Sequence, residues 1–542
     1  MNRHRHLYLS GPMGSGKSTV GALVAERLGR PFVDLDREME RTLGQTIAEL
    51  FATRGETAFR EMEAQLIRVI SAGESSVIAL GGGTVEPEET RRFLFVHGVV
   101  ITLRADPAEL VLRVTRDGLA ARPLLGATPL ASLQALVARR QDAYAECDAV
   151  LETNTREPAA IADDVIEVFT SRRDSLLVPL GAASYPVIVG DGVAARLKRE
   201  LEKMSPPVTH VLVVTDTHVQ ERATQWTASL PAAVSVVVLQ PGESEKTLDA
   251  VTRIWDAALQ AHCDRDACVV AIGGGVVGDL AGFAAATLLR GVRLVQMPTT
   301  LLSMVDSSAG GKTGFDRPQG KNLVGAFWQP RCVIADTEAL HSLPPRELHS
   351  GLAEVVKTAW IEGDCDVSQL ERDAHLLKQF GSESSDAFTL AIQRSVRTKA
   401  RIVSRDPHEF GERRLLNLGH TFGHALESGS SYALLHGEAV ALGLILAARC
   451  TRWLGLTDTV AHESRLTALF HALEVPLVMP RIEAETACAF LRSDKKNAGE
   501  SLRFVQCAAP GDCSVVSVPR ERLEFFLRGA LNEVLVSGTQ TA

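Results

Sequence analysis

Two glycine-rich segments with phosphate-binding character, far apart in the chain and unlike each other, constrain the fold of this sequence most strongly. The first, Gly11-Pro-Met-Gly-Ser-Gly-Lys-Ser18, lies close to the N-terminus. The second, Gly273-Gly-Gly-Val-Val-Gly-Asp279, lies in the middle of the chain. Both follow short apolar runs, so each predicts a strand, a glycine turn and a helix, the usual setting of a phosphate site in an α/β domain. One chain is therefore expected to hold two enzymes.

Length and composition agree with several globular domains. With 542 residues, the chain exceeds the size at which a single hydrophobic core keeps growing. It is 45% hydrophobic and 23% charged, which is ordinary for a globular protein. A formal net charge of -9 argues against general nucleic-acid binding and leaves local basic pockets for phosphorylated small molecules.

The cysteines and the apolar segments bear on the cellular compartment. The nine cysteines contain no C-x-x-C pair, so they are interpreted as reduced core thiols. The N-terminal residues have no apolar signal core, and the most apolar predicted helix, 439–448, is too short to cross a bilayer. We therefore expect a cytoplasmic protein with no membrane segment.

The first glycine-rich segment has the surroundings of a P-loop. An apolar run, Leu7–Ser10, precedes it, and a helical pattern, 19–28, follows it. In such a loop the glycine N–H groups face the β-phosphate, Lys17 reaches the β- and γ-phosphates, and the Ser18 hydroxyl binds Mg²⁺. The predicted ATP and Mg²⁺ ligands in the loop are Gly14, Ser15, Gly16, Lys17, Ser18 and Thr19.

Two carboxylates follow the loop in Phe32-Val-Asp34-Leu-Asp36. Their spacing of two residues predicts that both lie on one face of a second strand. One of them could orient hydrated Mg²⁺, and the other could accept a hydrogen bond from the hydroxyl of the phosphoryl acceptor.

Three further segments follow the carboxylate pair. They are a helical segment from Gly55 to Glu63, a buried strand and glycine turn from Val77 to Thr84, and Arg139-Arg140-Gln-Asp-Ala-Tyr144. With these, residues 1 to 172 resemble shikimate kinase, and the stretch from Arg116 to Arg122 resembles that family's mobile lid. Leu35 stands where the family commonly has Thr, and the lid is slightly shorter than in some relatives.

The resemblance implies how the acceptor is held. Arg60 and Arg140 would clamp the shikimate carboxylate, because a planar carboxylate suits guanidinium groups. The implied shikimate ligands are Asp36, Arg60, Gly82, Gly83 and Arg140. The resemblance adds Asp34, Arg116 and Arg122 to the ATP and Mg²⁺ ligands. The implied catalytic residues of this part are Lys17, Asp36 and Arg122. The alternative is a related small-molecule kinase, such as a gluconate kinase, which shares the loop and the lid but not the paired arginines.

A short polar run, Thr170–Ser175, marks a predicted domain boundary after residue 172. Beyond it, Val211–Asp216, Val234–Leu239 and Val269–Ile272 have the composition of buried parallel strands. These strands predict a Rossmann-like α/β domain over 173–344. From residue 345 the pattern is mostly helical, which predicts a helical metal and substrate domain over 345–542.

The motifs around the second glycine turn are dense. They are Pro241-Gly-Glu-Ser-Glu-Lys246, Arg290-Gly, Pro298-Thr-Thr, Asp306-Ser-Ser-Ala-Gly-Gly-Lys312, Lys321-Asn322 and Asp494-Lys-Lys496. Together they resemble 3-dehydroquinate synthase. The family uses NAD⁺ and a divalent metal, zinc or cobalt, to convert 3-deoxy-D-arabino-heptulosonate 7-phosphate to 3-dehydroquinate and phosphate.

The histidines allow two interpretations of the metal site. From spacing alone, His420 and His424 lie one helical turn apart and could bind zinc together. The resemblance instead implies Glu354, His420 and His436 as the ligands, and it leaves His424 for the substrate.

The resemblance implies the remaining contacts of the synthase as well. For NAD⁺ they are Asp216, Glu243, Lys246, Gly275, Val276, Val277, Gly278, Asp279, Thr299, Thr300, Lys312, Lys321 and Ser342. For the heptulosonate phosphate they are Arg290, Asp306, Lys312, Asn322, Lys357, Lys399, Arg413, Asn417, His420, His424, Lys495 and Lys496, where one of the last two would hold the phosphate. Asp306, Lys357 and His424 would be catalytic.

The two implied activities belong to aromatic amino-acid biosynthesis, but the steps are not consecutive, so channelling between the sites is not implied. Homodimerisation through the synthase part is implied by its family, in which the counterpart of Arg290 reaches the neighbouring subunit's site. The opposing hypothesis makes one module a regulatory or scaffolding domain without catalytic activity. No expected catalytic residue is missing to support it.

Overall fold

The computed structural model describes residues 5–116, 129–145, 147–171, 175–318, 320–430, 433–479, 481–493 and 501–537. Contacts between residues divide the chain into two compact units, Met1–Ala182 and Ala183–Ala542. The boundaries expected after residues 172 and 344 stay predictions.

The first unit is an α/β unit. Its strands are β1 (His6–Ser10), β2 (Phe32–Asp34), β3 (Val77–Ala79), β4 (Gly98–Arg104), β5 (Ala149–Glu152) and β6 (Ser175–Val178). Its helices are α1 (Lys17–Leu28), α2 (Leu35–Leu43), α3 (Ile47–Ser71), α4 (Glu88–His97), α5 (Pro107–Arg116), α6 (Pro129–Arg139), α7 (Gln141–Ala145) and α8 (Pro158–Ser171).

A parallel sheet with the strand order β2-β3-β1-β4-β5 forms the centre of this unit. Strand β1 is buried along its whole length. Leu7 and Leu9 belong to a core with Val20 of α1, whereas Tyr8, on the opposite face, belongs to a second core with Ile78. Both faces of the sheet are therefore covered, which explains the continuous apolar runs of its strands.

The expectation for the paired carboxylates was wrong in one respect. Strand β2 ends at Asp34, and Asp36 lies in the first turn of α2. The side chain of Asp34 caps this helix by accepting a hydrogen bond from the Arg37 backbone N–H at 3.3 Å. This capping interaction ends the strand, and the period of two does not continue beyond it.

The second unit contains the remaining elements. Its strands are β7 (Tyr185–Gly190), β8 (His210–Asp216), β9 (Ala233–Leu239), β10 (Cys268–Gly273), β11 (Arg293–Pro298), β12 (Lys312–Arg317), β13 (Gly320–Phe327), β14 (Cys332–Asp336), β15 (Ser501–Ala509) and β16 (Asp512–Pro519). Its helices are α9 (Leu197–Glu202), α10 (Gln220–Thr227), α11 (Leu248–Gln260), α12 (Gly275–Thr287), α13 (Pro345–Glu362), α14 (Asp364–Asp373), α15 (Ser385–Arg405), α16 (His420–Gly429), α17 (His436–Trp453), α18 (Val460–Ala472), α19 (Ala484–Ser493) and α20 (Arg520–Ser537).

Parallel strands in the order β7-β14-β11-β10-β8-β9 form the main sheet of this unit. Strands β8 and β10 are buried, as expected. Strand β9 is parallel but not buried, because it lies at the sheet edge, where Val234 and Val236 are exposed. Its apolar run alone could not distinguish an edge strand from a central one.

Helices make up most of the second unit from Pro345 onward, as the sequence predicts, and the antiparallel hairpin β15–β16 is added to them. Helices α16 and α17 pack closely through glycines. A Cβ atom at Gly443 would lie 2.1 Å from the Gly419 carbonyl oxygen and 2.8 Å from the Gly423 nitrogen. Only glycine at this position lets the two helices approach so closely.

All nine cysteines are free, and most of them are buried, although Cys365 is exposed. Among the described residues, no helix is both long and apolar enough to cross a membrane.

Candidate active sites

The P-loop joins β1 to α1 and wraps around Lys17. Gly14 and Gly16 have φ values of 79° and 94°, which non-glycine residues rarely adopt. Lys17 Nζ donates hydrogen bonds to the carbonyls of Gly11 at 2.8 Å and Pro12 at 2.9 Å. The loop therefore holds the lysine over the N-terminus of α1, where an anion is favoured.

Two hydroxyls complete the predicted phosphate and Mg²⁺ site. Ser18 Oγ donates to Asp34 Oδ2 at 2.6 Å, so the strand-end carboxylate and the loop hydroxyl lie side by side. Ser15 Oγ is buried and has no hydrogen-bond partner among the described residues. An orphaned hydroxyl, a lysine and a helix N-terminus suit a bound polyphosphate, and the Ser18–Asp34 pair supplies the oxygen ligands that Mg²⁺ prefers.

Asp36 lies close to a second carboxylate, Glu63. A Cβ atom at Gly81 would lie 2.5 Å from Glu63 Oε1 and 2.7 Å from Asp36 Oδ1, so both side chains lie against this glycine. Burial and the charge of Glu63 raise the pKa of Asp36 to about 6, although Lys17 lowers it. An aspartate whose pKa lies near neutrality suits proton acceptance.

The two arginines of the expected carboxylate clamp lie in one cluster. Arg60 Nη1 donates to Glu63 Oε2 at 2.8 Å, and Arg140 Nη1 donates to the Gly82 carbonyl at 3.1 Å. A Cβ atom at Gly83 would lie 2.0 Å from Arg60 Nη2, so Arg60 lies directly on the glycine turn. The structure thus brings Arg60, Arg140 and the Gly82–Gly83 turn together, as the resemblance implies. Arg122 lies outside the described residues, as does the side chain of Arg116.

A buried group of residues that could bind a metal lies in the second unit. Glu354, in the middle of α13, is fully buried, and its Oε1 atom is 3.6 Å from His420 Nε2 and 3.6 Å from His436 Nε2. The candidate ligand atoms of the three residues lie within 4.8 Å of one another. Glu354 Oε1 has no hydrogen-bond partner among the described residues. One carboxylate and two imidazoles around an orphaned, buried oxygen fit a divalent metal of the zinc type.

Each histidine is held in place by a neighbouring oxygen. His420 Nδ1 lies 3.1 Å from the Leu418 carbonyl, and His436 Nδ1 lies 3.5 Å from Glu427 Oε2. Burial lowers the pKa of His436, but Glu354 and Glu427 raise it to about 10, so a metal that binds this ring would displace its proton. Burial and Lys357 lower the pKa of His420 well below its usual value, so this ring is neutral, the form that binds metals.

His424 lies one helical turn after His420 in α16, as the spacing of the two histidines predicts. It forms a second group with Glu427 and His436, whose candidate ligand atoms also lie within 4.8 Å of one another. Its ring centroid is 5.1 Å from that of His420 and 5.9 Å from that of His436. Among the described residues, Glu354 forms a possible metal site with His420 and His436, and no such site contains both His420 and His424.

The second glycine turn begins a helix at the carboxyl end of the sheet. Strand β10 ends at Gly273, and α12 begins at Gly275, so the turn lies at the carboxyl end of the strand, where open α/β sheets bind ligands. Lys246 Nζ forms an ion pair with Asp279 Oδ2 at 2.6 Å. Asp216 ends β8, and its Oδ1 accepts from the His218 N–H at 2.8 Å. Thr299 and Thr300 follow β11, beside the turn.

Cations surround the carboxylate of Asp306, which lies in a π-helical turn, Ser303–Ser307. Lys399 Nζ is 2.5 Å from Asp306 Oδ1, and Lys357 forms an ion pair with Glu354. Although burial raises the pKa of Asp306, Lys399 and Lys357 hold it well below its usual range. Arg413 is buried and donates to the Gly310 carbonyl at 2.9 Å. Several cations next to the metal group suit an anionic substrate.

Three other implied ligands, Lys312, Asn417 and Lys321, contact glutamates. Lys312 Nζ is 2.6 Å from Glu409 Oε2, and Asn417 Nδ2 donates to Glu409 Oε1 at 2.8 Å. Lys321 Nζ lies 2.8 Å from Glu427 Oε1 and 3.5 Å from Glu243 Oε1.

Three further implied ligands are Arg290 and Ser342, at the ends of short helices, and Asn322, in strand β13. Arg290 and Asn322 have left-handed φ values of 69° and 52°. Ser342 Oγ donates to the Ala339 carbonyl at 3.1 Å. Lys495 and Lys496 lie outside the described residues.

Four glutamates at these sites were missed from the sequence. Glu63 and Glu86 contact the clamp arginines, and Glu409 and Glu427 contact the predicted ligands Lys312 and His436. The sequence could have indicated Glu63 and Glu427, because residues three apart on a helix are neighbours on its surface. Glu63 lies three residues after Arg60, and Glu427 lies three residues after His424. Glu86 and Glu409 have no such signal, because only the tertiary fold brings them to their partners.

The first unit has a P-loop and two clustered arginines, and the second has a glycine turn on a parallel sheet and a buried group of histidines and a carboxylate. These features define the class of protein, an enzyme with two sites of which the first is a kinase. The family model of shikimate kinase matches residues 13–170. The models of the N-terminal and C-terminal parts of 3-dehydroquinate synthase match residues 236–350 and 351–497.

Individual relatives agree with the family models. The 3-dehydroquinate synthase of Xanthomonas oryzae pv. oryzae (strain PXO99A) is 45% identical over 352 residues, which cover 62% of this chain and 93% of the relative. A crystal structure of 2-deoxy-scyllo-inosose synthase with carbaglucose-6-phosphate, NAD⁺ and Co²⁺ is 26% identical, with a TM-score of 0.59, over 66% of this chain and 99% of that one. The 2-epi-5-epi-valiolone synthase of Streptomyces hygroscopicus subsp. jinggangensis 5008, with NAD⁺ and Zn²⁺ bound, is 28% identical with a TM-score of 0.57, over 64% of this chain and 97% of that one.

The chain belongs to the 3-dehydroquinate synthase family and carries a shikimate kinase domain N-terminal to the synthase in the sequence. It is a bifunctional enzyme of the shikimate pathway, with a kinase and a lyase-type activity. Both resemblances and the α/β fold class that the sequence predicts are confirmed.

Proposed function

We propose that the N-terminal unit transfers the γ-phosphoryl group of ATP to the 3-hydroxyl of shikimate in the presence of Mg²⁺. This reaction needs mainly positioning and charge neutralisation. Lys17 would neutralise the β- and γ-phosphates, and Ser18 would bind Mg²⁺, with Asp34 orienting a water ligand of that ion. Asp36 would accept the hydrogen bond and then the proton of the acceptor hydroxyl. The contact of Ser18 with Asp34 at 2.6 Å supports this division of roles.

The acceptor would be selected by its carboxylate. Arg60 and Arg140 would bind this group, and the Gly82–Gly83 backbone and Asp36 would hold the ring hydroxyls. The clustering of both arginines at one glycine turn supports shikimate over a gluconate-type acceptor. Arg116 and Arg122 would cover the nucleotide.

For the C-terminal unit we propose the NAD-dependent and metal-dependent conversion of 3-deoxy-D-arabino-heptulosonate 7-phosphate to 3-dehydroquinate and phosphate. When bound, NAD⁺ takes up a hydride and later returns it, and zinc or cobalt lowers the pKa of a substrate hydroxyl. Glu354, His420 and His436 would hold the metal. The turn from Gly275 to Asp279, with Asp216, Thr299 and Thr300, would hold the nucleotide.

The remaining residues would bind and orient the substrate. Lys312, Asn322 and Arg290 would hold its phosphate, with one of Lys495 and Lys496, because a dianionic leaving group needs several cations. Lys399 and Arg413 would bind its carboxylate. Lys357 and Asp306 would surround the reacting hydroxyls, and Lys357 could stabilise an alkoxide or relay its proton.

We also propose that the enzyme works as a homodimer in the cytoplasm, where NAD⁺ and ATP are available. The exposed position of Arg290, at a left-handed turn, supports a role for this side chain in the neighbouring subunit's site.

The buried Glu354–His420–His436 group, with Lys357 and Asp306 beside it, carries the synthase proposal. The test is to incubate the purified chain with the heptulosonate phosphate and NAD⁺, with and without a zinc-selective chelator. Phosphate and 3-dehydroquinate should appear together, and the chelator should stop both. If neither product forms while metal and NAD⁺ are bound, the proposal is wrong. A parallel assay of ADP formation with and without shikimate tests the kinase.

A further inference from the structure

A glutamate that no motif singled out, Glu86, lies between the two arginines of the proposed shikimate clamp. Its Oε2 atom is 2.8 Å from Arg140 Nη2 and 3.6 Å from Arg60 Nη2. Its other oxygen, Oε1, is 2.9 Å from Arg139 Nη2. One carboxylate oxygen therefore faces both clamp guanidinium groups at once, as a bound substrate carboxylate would have to do in order to bridge them.

The two clamp arginines have further partners that hold them in place, whereas the glutamate side chain reaches the surface of the site. Arg140 is 4% exposed and also donates to the Gly82 carbonyl, and Arg60 is tied to Glu63. The Glu86 side chain is 25% exposed. Its backbone is anchored by Arg91, which donates to the carbonyls of Val85 and Glu86 at 2.7 Å each. Displacement of the carboxylate therefore breaks its ion pairs by a side-chain rotation and leaves the backbone in place.

The charges of the cluster explain why a carboxylate belongs there. A buried guanidinium group without a counter-ion is costly, and Arg140 is buried. Burial raises the pKa of Glu86, but Arg140, Arg139 and Arg60 bring it below its usual value, so the side chain is ionised at neutral pH. Replacing this carboxylate by that of a substrate exchanges one anion for another and leaves the charge of the cluster unchanged.

We propose that Glu86 is the internal counter-ion of the shikimate clamp, which it occupies while the site is empty and leaves when the substrate carboxylate enters. The inference rests on the proposed kinase function and adds a positioning residue that sets the affinity for the acceptor. Because the two carboxylates compete for the same guanidinium groups, Glu86 weakens the binding of shikimate. It has no contact that would change the binding of ATP through the P-loop, among those that the structure describes.

The test is Glu86→Gln in the full chain, which keeps the shape of the side chain and removes its charge. Shikimate binding is measured by calorimetry without ATP, and the kinase is assayed by initial rates. We expect Kd and KM for shikimate to fall by about two- to fivefold, the range of a partly exposed ion pair, while kcat and the KM for ATP stay unchanged. Glu89→Gln is the matched control, because Glu89 pairs with Arg68 at 2.7 Å and is 67% exposed. It should leave every constant unchanged.

An unchanged or raised KM for shikimate in a folded Glu86→Gln enzyme overturns the inference, since it would mean that Glu86 merely supports the arginines. If that variant does not fold, Glu86→Asp takes its place. This variant keeps the charge but withdraws the carboxylate, so it should lower the KM to a smaller extent, and an unchanged or raised value again contradicts the inference. A wild-type chain that does not phosphorylate shikimate refutes the proposed function itself, which is a distinguishable result.

Discussion

At the scale of single residues, the ionisation of Asp36 leads to a prediction of how kinase activity depends on pH. Its pKa is raised to about 6, so the carboxylate form is lost as the pH falls through that value. If this form accepts the shikimate proton, kcat/KM of the kinase should fall about tenfold per pH unit below pH 6. The pH profile of phosphorylation, with Asp36→Asn as reference, measures this.

The free energy of unfolding should change in the opposite direction to the kinase activity: the contribution of Asp36 to stability should rise as the pH falls through the same range. Because the folded-state pKa of Asp36 lies above the ordinary value, its ionisation above pH 6 costs stability, and its protonation between pH 6 and 4 relieves that cost. A loss of kinase activity that merely follows unfolding over this range would contradict the assignment. Thermal unfolding measured over the same pH range separates the two causes.

Glu427 gives a second prediction at this scale. It faces His436 Nδ1 at 3.5 Å and Lys321 at 2.8 Å, so it orients a proposed metal ligand from behind. We expect Glu427→Gln to weaken metal binding by about 10- to 100-fold, the usual effect of losing such a partner. Competition with a zinc indicator measures it.

The control for this variant is Glu474→Gln, which removes an equal charge from a surface pair with Lys378. It should leave metal affinity unchanged. Equal affinities of the wild type and Glu427→Gln would show that Glu427 does not act through His436.

At the scale of secondary-structure elements, the close packing of α16 against α17 positions both histidine ligands, because His420 and His436 are the first residues of these helices. Gly443→Ala would place a methyl group 2.1 Å from the Gly419 carbonyl oxygen, and backbone cannot move aside cheaply. We expect a loss of about 1–3 kcal/mol in the stability of the second unit, with weaker metal binding.

Thermal unfolding and metal titration of Gly443→Ala test this expectation. The matched variant is Gly529→Ala in α20, where an added Cβ atom meets nothing within 4 Å. If Gly443→Ala binds metal like the wild type, the packing of the two helices does not position the ligands.

The elements also show how far the sequence alone could lead. Strong local signals predicted the P-loop strand and helix, the β10 turn and helix α17, because glycine turns next to apolar runs act locally. The end of β2 at Asp34 and the exposure of β9 were missed, since a capping hydrogen bond and an edge position depend on neighbours that periodicity does not describe.

The site residues also divide into those that the sequence predicted and those that it did not. Motifs predicted Arg60 and Arg140 for one site and Glu354, His420 and His436 for the other. In the fold, the members of each set lie close together. The spacing of His420 and His424 alone could not choose the metal group, because Glu354 comes from a distant helix, α13. Glu86 and Glu409 stayed hidden for the same reason, and their partners are set by tertiary contacts alone.

At the scale of the whole molecule, the two sites lie in different compact units. We expect Lys17→Met to lower shikimate phosphorylation by a factor of about 100 or more and to leave 3-dehydroquinate formation unchanged. Glu354→Gln should have the reverse effect. Both activities are measured on the same preparations, so each serves as the folding control for the other. A parallel loss of both activities in either variant would show that the units depend on each other.

The division of one chain into two units also has a consequence for the cell. Each copy that a ribosome completes delivers one kinase site and one synthase site, so their ratio in the cell cannot be adjusted by transcription or by selective turnover of one partner. Any difference in throughput between the two steps must then be met by the turnover numbers of the sites and by the supply of their substrates. Selection on flux through one step therefore acts on the amino-acid sequence of its own unit, because changing the copy number alters both steps together.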